Sequence, residues 1–329
     1  MLNLDPIASR SLYLLIGFFF IAGLCVFGYE LLKKKVDPNL RKRYFSWYII
    51  APVMLVPAYF GGLPFAVLVT GLAIISLREF FSFAHVRDIR AYRWTGRIFS
   101  VLLVWTAIYN STDIPAPFSW TLPWWHAHFG AEPLLGVPLF YLMPVFVIMF
   151  VLTIPVLLGK YEGMVMRESV TVFGILYFGW FLGHLILMRN LVNGFGYILF
   201  LAAAVVLNDV LAYTFGRLWG KTQLTPKISP KKTVEGAVGG VLGSLLAVIV
   251  FHYAVPALSW PAAIGAGLVV GAAAPLGDLV ISVMKRDMSV KDSGNLIPGH
   301  GGLLDRCDSL IFAAPAFYYY LLLARHFPG

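Results

Sequence analysis

The 329-residue chain is 59% hydrophobic and only 12% charged, with a mean hydropathy of +0.80 and a formal net charge of +9. Soluble domains carry about 25% charged residues, and a chain with about half that share cannot cover the surface of a soluble globule. The soluble classes are excluded, and a membrane protein with many spans is left.

Crossing a bilayer takes about 20 apolar residues per helix. Ten apolar runs approach that length, at residues 11–32, 45–60, 63–83, 97–110, 138–158, 170–188, 195–216, 236–254, 261–284 and 309–324. The first is followed by Lys33, Lys34 and Lys35 with no small-x-small cleavage site between, which reads as an anchor helix rather than a cleaved signal. The fourth, GRIFSVLLVWTAIYN, is short. Lipid leaves the backbone no partner but itself, and the runs lack barrel alternation, so all ten are expected as helices.

Lys and Arg collect on the cytoplasmic side of membrane proteins. Alternate loops, beginning after the first run and taken with the adjoining run ends that carry Arg78 and Arg97, hold 22 of the 25 basic residues; the Pro- and Trp-rich segment 111–137 holds none. The pattern predicts an all-α polytopic integral membrane protein, with about ten transmembrane helices and both termini on the outer side. The +9 then faces an anionic leaflet, and no nucleic acid is needed to explain it. Cys25 and Cys307 make no disulfide or metal framework. The aromatic residues of STDIPAPFSWTLPWWHAHF fit an interfacial belt. Residues 1–200 read as anchoring, lipid-facing helices with a possible dimer surface, and residues 201–329 as a catalytic region with two cytoplasmic motif loops.

The polar chemistry lies after residue 205. Asp209 sits within an apolar run, where a carboxylate is costly and normally faces a partner or a wet cavity. It shares a helix face with Tyr213 and Arg217, so an Asp209–Arg217 or Asp209–Lys contact is the structural alternative. Asp278, Ser282 and Lys285 form a second strip, with the carboxylate deepest, the hydroxyl next and the ammonium at the water. Carboxylates suit Mg²⁺, while Ser and Lys suit phosphate oxygens. Asp305 and Asp308 bracket Arg306 where the last helix begins and can add metal ligands, or can simply match the helix dipole. Between Lys285 and Asp305, Gly294, Gly299, Gly301 and Gly302 would let backbone approach a phosphate, and His300 is a candidate donor, proton carrier or loop cap.

Upstream, Gly216-Arg-Leu-Trp-Gly220-Lys221-Thr222 mimics a P-loop with one residue too few and no preceding strand. The neighbouring Ser229-Pro230-Lys231-Lys232-Thr233-Val234-Glu235-Gly236 places two lysines and two hydroxyls at a helix start, an anion platform or an ordinary basic flank. The small-xxx-small pairs Gly236/Gly240, Gly239/Gly243 and Gly267/Gly271 indicate close helix packing. Carboxylates and basic groups at one membrane face suit Mg²⁺ with a polyphosphate, and a lipid-tailed substrate explains the location.

The run Ser282-x-x-Lys285-Arg286, Lys291-Asp292-x-Gly294-x-x-Ile297-Pro298-x-His300-Gly301-Gly302-x-x-Asp305-Arg306-x-Asp308 resembles the motif of the phosphatidate cytidylyltransferase (CDP-diacylglycerol synthase) family. So does the segment from Asn208-Asp209 to Glu235-Gly236; together they cover about residues 205–320, with Cys307 where the family usually has an aliphatic residue. The resemblance implies Mg²⁺-dependent transfer of the cytidylyl group of CTP to phosphatidic acid, at the cytoplasmic face of a bacterial inner membrane. It implies Asp278 and Asp305, with Asp308, as metal ligands. Asp278, Asp305, Lys285 and Asp209 are the expected catalytic groups. Ser282, Arg286, Lys291, His300 and Arg306 are expected on phosphates, and Lys231 and Lys232 on the nucleotide or lipid headgroup. Transfer to another lipid phosphate and a CTP-dependent polyprenol kinase are the rival enzymes. A lipid transporter fits less well, because its polar groups would sit near the midplane in two related halves.

Overall fold

A computed structural model describes residues 6–14, 16–17, 38–84, 86, 90–109, 139–294, 296 and 301–326. The described chain is almost entirely helical: α1 (Pro38–Phe60), α2 (Gly62–Phe83), α3 (Arg90–Tyr109), α4 (Leu139–Leu158), α5 (Met164–Arg189), α6 (Gly194–Trp219), α7 (Val234–Phe251), α8 (Trp260–Asp287) and α9 (Leu304–His326). Seven of these, all but α1 and α3, belong to helices long and apolar enough to cross a membrane. The chain is an all-α integral membrane protein. Most of the expected first span lies outside the described residues, α1 has a shorter apolar stretch at Tyr48–Phe60, and α3 carries Arg90, Arg93 and Arg97 at its start.

One departure from an all-helical chain is a two-stranded antiparallel hairpin, β1 (Gln223–Thr225) and β2 (Ser229–Thr233), between α6 and α7. It lies in the basic loop, where polar composition and Pro230 concealed it. Its end flows into α7 because the Thr233 hydroxyl accepts the Gly236 N–H at 3.1 Å, satisfying one of the free donors of the first turn.

Helices α6 to α9 pack as one unit, with α6 against α7, α7 against α8 and α8 against α9. Lipid supplies no hydrophobic drive between helices, so small residues at the seams carry the packing. A Cβ at Gly239 would come within 2.5 Å of the Phe215 side chain, and one at Gly271 would press on Val241. The Gly236, Gly240 and Gly243 backbones likewise lie tight against α6. The small-residue pairs in the sequence therefore act in helix packing.

The earlier helices wrap this unit: α2 and α5 both touch α9, and α3 packs on α2 and α5. Arg189, at the C-terminal end of α5, donates from Nη2 to the Tyr59 carbonyl at 2.8 Å and ties off the C-terminal end of α1. Helix α5 is not uniform: residues Ile175–Trp180 form a π-helical turn, with α-helix on both sides.

Candidate active site

Three helices each bring one carboxylate to a common region: Asp209 from α6, Asp278 from α8 and Asp308 from α9. The approach of α8 to α9 is fixed at Gly277, where any side chain would collide with the Asp308 carbonyl and the Phe312 side chain. That contact sets Asp278, the next residue, beside Asp308. The three carboxylates lie within one another's electrostatic reach. Asp308 is buried, Asp278 half-buried and Asp209 exposed.

The approach of α6 to α8 has a different cause. Pro275 has no N–H, so the Gly271 carbonyl four residues earlier loses its helical partner. In lipid an unpaired carbonyl is expensive. Asn208 supplies the partner: its side-chain amide donates to Gly271 O and to Ser244 Oγ, each at 3.2 Å, and Ser244 Oγ donates to Ala204 O. One buried amide thus fixes the rotation of α6 against α7 and α8, and with it the direction of Asp209.

Cations surround the cluster. Like charges 4 Å apart in a medium of effective dielectric about 20 repel by about 4 kcal/mol, so grouped carboxylates persist only with positive charge nearby. Lys232 Nζ lies 2.7 Å from Asp278 Oδ2, and Lys232 and Arg306 both act on Asp209. Ser282 Oγ donates to Asp278 Oδ1 at 3.2 Å. Strand alternation turns the two lysines of β2 to opposite sides, so Lys232 reaches the cluster while Lys231 stays exposed. Arg286 donates from Nε to Ile228 O at 3.2 Å and docks the hairpin turn on α8.

Asp305 has a different setting. Its Oδ1 accepts from Lys285 Nζ at 2.7 Å, and its Oδ2 accepts from the Ser293 and Gly302 N–H groups at 2.9 and 3.2 Å. Both oxygens, and the Lys285 ammonium, are engaged in folding the motif loop onto α9. Of the three residues expected on the metal, Asp305 is the most heavily held, by three donors; Asp278 is held by Ser282 and Lys232, and Asp308 Oδ1 accepts from the Ser309 N–H at 2.7 Å. Asp209 stands with the latter two.

Glu79, on α2, is the residue that the sequence reading did not single out. It is buried, and it accepts from the Leu303 N–H at 3.0 Å, the Leu304 N–H at 2.8 Å and Ser293 Oγ at 3.2 Å. The first two are donors at the start of α9 with no helical acceptor. A Cβ at Gly302 would approach Glu79 Oε2 to 2.6 Å, and one at Gly294 would approach Oε1 to 3.0 Å. Two glycines of the motif are therefore required by the close passage of the loop over Glu79. An intramembrane carboxylate, the pair Arg78-Glu79 in an otherwise apolar run, was the available signal.

The remaining expected residues are accounted for as follows. Lys291 is exposed on the loop beyond α8, and His300 lies outside the described residues. Arg217 donates from Nη1 to the Tyr213 hydroxyl at 3.1 Å, so the Arg217 partner is Tyr213. Among the described residues no three His, Cys, Asp or Glu side chains stand close enough to enclose a metal ion. As hard oxygen donors of like charge, Asp209, Asp278 and Asp308 nonetheless fit Mg²⁺ chemically.

The model of the cytidylyltransferase family matches residues 41–324. The chain belongs to this family. It is 30% identical over 287 residues to the phosphatidate cytidylyltransferase of Bacillus subtilis (strain 168), covering 87% of this chain and 98% of that relative. It is 52% identical over 119 residues to the phosphatidate cytidylyltransferase of Synechocystis, a match limited to 35% of this chain and 39% of that protein. It is also 38% identical over 214 residues to the uncharacterized protein YnbB of Escherichia coli (strain K12), covering 59% of this chain and 71% of YnbB. The match thus extends through α2, whose Glu79 carboxylate meets the C-terminal motif.

Proposed function

We propose that the chain transfers the cytidylyl group of CTP to phosphatidic acid, giving CDP-diacylglycerol and pyrophosphate. The observation that carries this reading is the junction of three carboxylates, one each from α6, α8 and α9, with Lys232 and Arg306. Such a balance suits a divalent cation holding a triphosphate next to a second phosphate.

A phosphate oxygen of the lipid attacks the α-phosphorus of CTP in line, and the bond from that phosphorus to the β-phosphate oxygen breaks, releasing pyrophosphate. The nucleophile is already ionised near neutral pH, so the protein needs no strong general base. Bound Mg²⁺ would neutralise charge on the phosphates, held by one or two of the carboxylates Asp209, Asp278 and Asp308 together with the phosphates themselves. Lys232, now on Asp278, would exchange to a phosphate oxygen as substrate enters, and Arg306 would offset charge beside Asp209. Ser282 orients Asp278. Lys285 and Asp305 keep the motif loop closed over the start of α9.

We further propose ten spans with both termini outside, which puts the site at the cytoplasmic face of a bacterial inner membrane; the clustering of basic residues in alternate loops supports this orientation. Residues 201–329 carry the reacting groups in this reading and residues 1–200 support them. The test is direct: the purified protein with labelled CTP, phosphatidic acid and Mg²⁺ forms a CDP-lipid and releases pyrophosphate. No product with phosphatidic acid or with an isoprenoid phosphate sinks the enzymatic reading, and a phosphorylated polyprenol with release of CDP establishes the kinase instead.

A further inference from the structure

The π-helical turn of α5 carries Tyr177, whose hydroxyl is buried and has no hydrogen-bond partner among the described residues. A buried polar group normally finds a partner, and leaving one unmatched costs the desolvation of that group with nothing in return. The rest of the side chain is firmly held: its ring stacks on Phe173 at 5.0 Å and meets Phe178 and Phe181 at 5.3 Å. Mobility does not explain the unmatched hydroxyl, and a π-turn within an α-helix frequently marks a functional site.

The position of Tyr177 along the bundle is set by two contacts. Phe181 packs on Phe312 at 6.1 Å, and His184 Nε2 lies 3.2 Å from the Tyr319 hydroxyl, so α5 and α9 run in parallel. One turn before Phe181 is Tyr177, and one turn before Phe312 is Asp308. The two are level, and the charges acting most strongly on Tyr177 are those of Asp308 and Asp278. The extra residue in the π-turn rotates this part of α5 relative to a regular helix. A phenol free to rotate about its C–O bond turns its proton toward such negative charge.

We propose that the Tyr177 hydroxyl donates a hydrogen bond to a phosphate oxygen of the substrate held at the Asp209–Asp278–Asp308 cluster, which makes it a further catalytic residue. The proposal rests on the cytidylyl-transfer reading given above. It explains why a hydroxyl without a structural partner is maintained in a tightly packed aromatic cluster: its partner arrives with the substrate.

The variant Tyr177→Phe removes one oxygen and keeps the ring. Full-length wild type and variant are compared in lipid nanodiscs, by thermal melting with and without Mg²⁺ and CTP, and by steady-state kinetics. The expected result is an unliganded melting temperature equal to or above that of the wild type. The stabilisation by Mg²⁺ and CTP shrinks, and kcat falls about tenfold to a hundredfold, as for loss of a hydrogen bond to a charged group. Wild-type kinetics together with an undiminished ligand-induced shift overturn the proposal. So does an unliganded melting temperature several degrees lower, which would assign the hydroxyl to folding. A wild type that makes no CDP-lipid instead defeats the functional reading, and the Mg²⁺–CTP melting comparison then still decides whether Tyr177 touches the nucleotide.

Discussion

Two sets of carboxylates lie near one another in this protein, and their surroundings differ. Glu79 and Asp305 each accept from two backbone N–H groups and one side chain, a hydroxyl or an ammonium, so that their oxygens are filled from within the chain. Asp209, Asp278 and Asp308 lie in one another's field and have fewer donors: Ser282 and Lys232 on Asp278, the Ser309 N–H on Asp308, and the charges of Lys232 and Arg306 acting on Asp209. The first set folds a loop; in the proposed reading the second receives a cation and phosphate. The same functional group would then do both, and the number of backbone donors on it separates the two.

The comparison breaks most sharply at Asp278. We expect Asp278→Asn to lower kcat about a thousandfold, the upper range for removing one electrostatic element of a transition state, with the unliganded melting temperature unchanged or raised by relief of repulsion. Near-normal turnover at saturating Mg²⁺ would remove Asp278 from the metal. Glu79→Ala should do the reverse. It strands the Leu303 and Leu304 N–H groups and the Ser293 hydroxyl, at a cost of about 1–3 kcal/mol for each donor that water does not reach. A lower melting temperature and faster hydrogen exchange at Leu303 and Leu304 are the measurements; unchanged exchange there would refute the assignment.

A smaller effect is expected from the hairpin. Lys232→Ala should lower kcat/KM for CTP about tenfold, the scale of one charge-assisted hydrogen bond. Lys231→Ala, on the exposed side, should change it less than twofold, and equal losses would mean that strand alternation does not select the lysine. The smallest effect belongs to Asn208→Leu, which leaves Gly271 O unmatched. Polar contacts between membrane helices are worth about 0.6 kcal/mol on average, so a melting shift of a few degrees with altered kcat is expected, while a rise in stability would count against the amide clamp.

Most of the helices were legible in the sequence because length and hydropathy alone define them in lipid. Asp278 and Asp308 could be singled out in the sequence because carboxylates within or beside apolar runs are rare; the structure brings them together, and their role rests with the proposed reading. Asp305 was harder: a carboxylate at the first turn of a helix has the same sequence signature whether it binds metal or caps backbone, and only the positions of Ser293, Gly302 and Lys285 separate the two. Glu79 was not read because its partners are more than 200 residues away, and no local spacing encodes that contact. Its two glycine neighbours were visible in the motif, yet their spacing is equally that of a phosphate loop. Tyr177 escaped for another reason: a tyrosine in an aromatic run carries no mark of the π-turn that orients it.

Pro275 has a mechanical consequence. The proline removes one rung from α8, three residues before Asp278, and an amide from α6 fills the open place. Helix α8 runs unbroken from Trp260 to Asp287, yet at this one rung a neighbouring helix supplies the bond. Asp278, Ser282 and Lys285 all follow that rung on one stretch of helix, and Asn208 is the pin at its base. Any tilt at that joint would carry the carboxylate, the hydroxyl and the ammonium together, preserving their spacing.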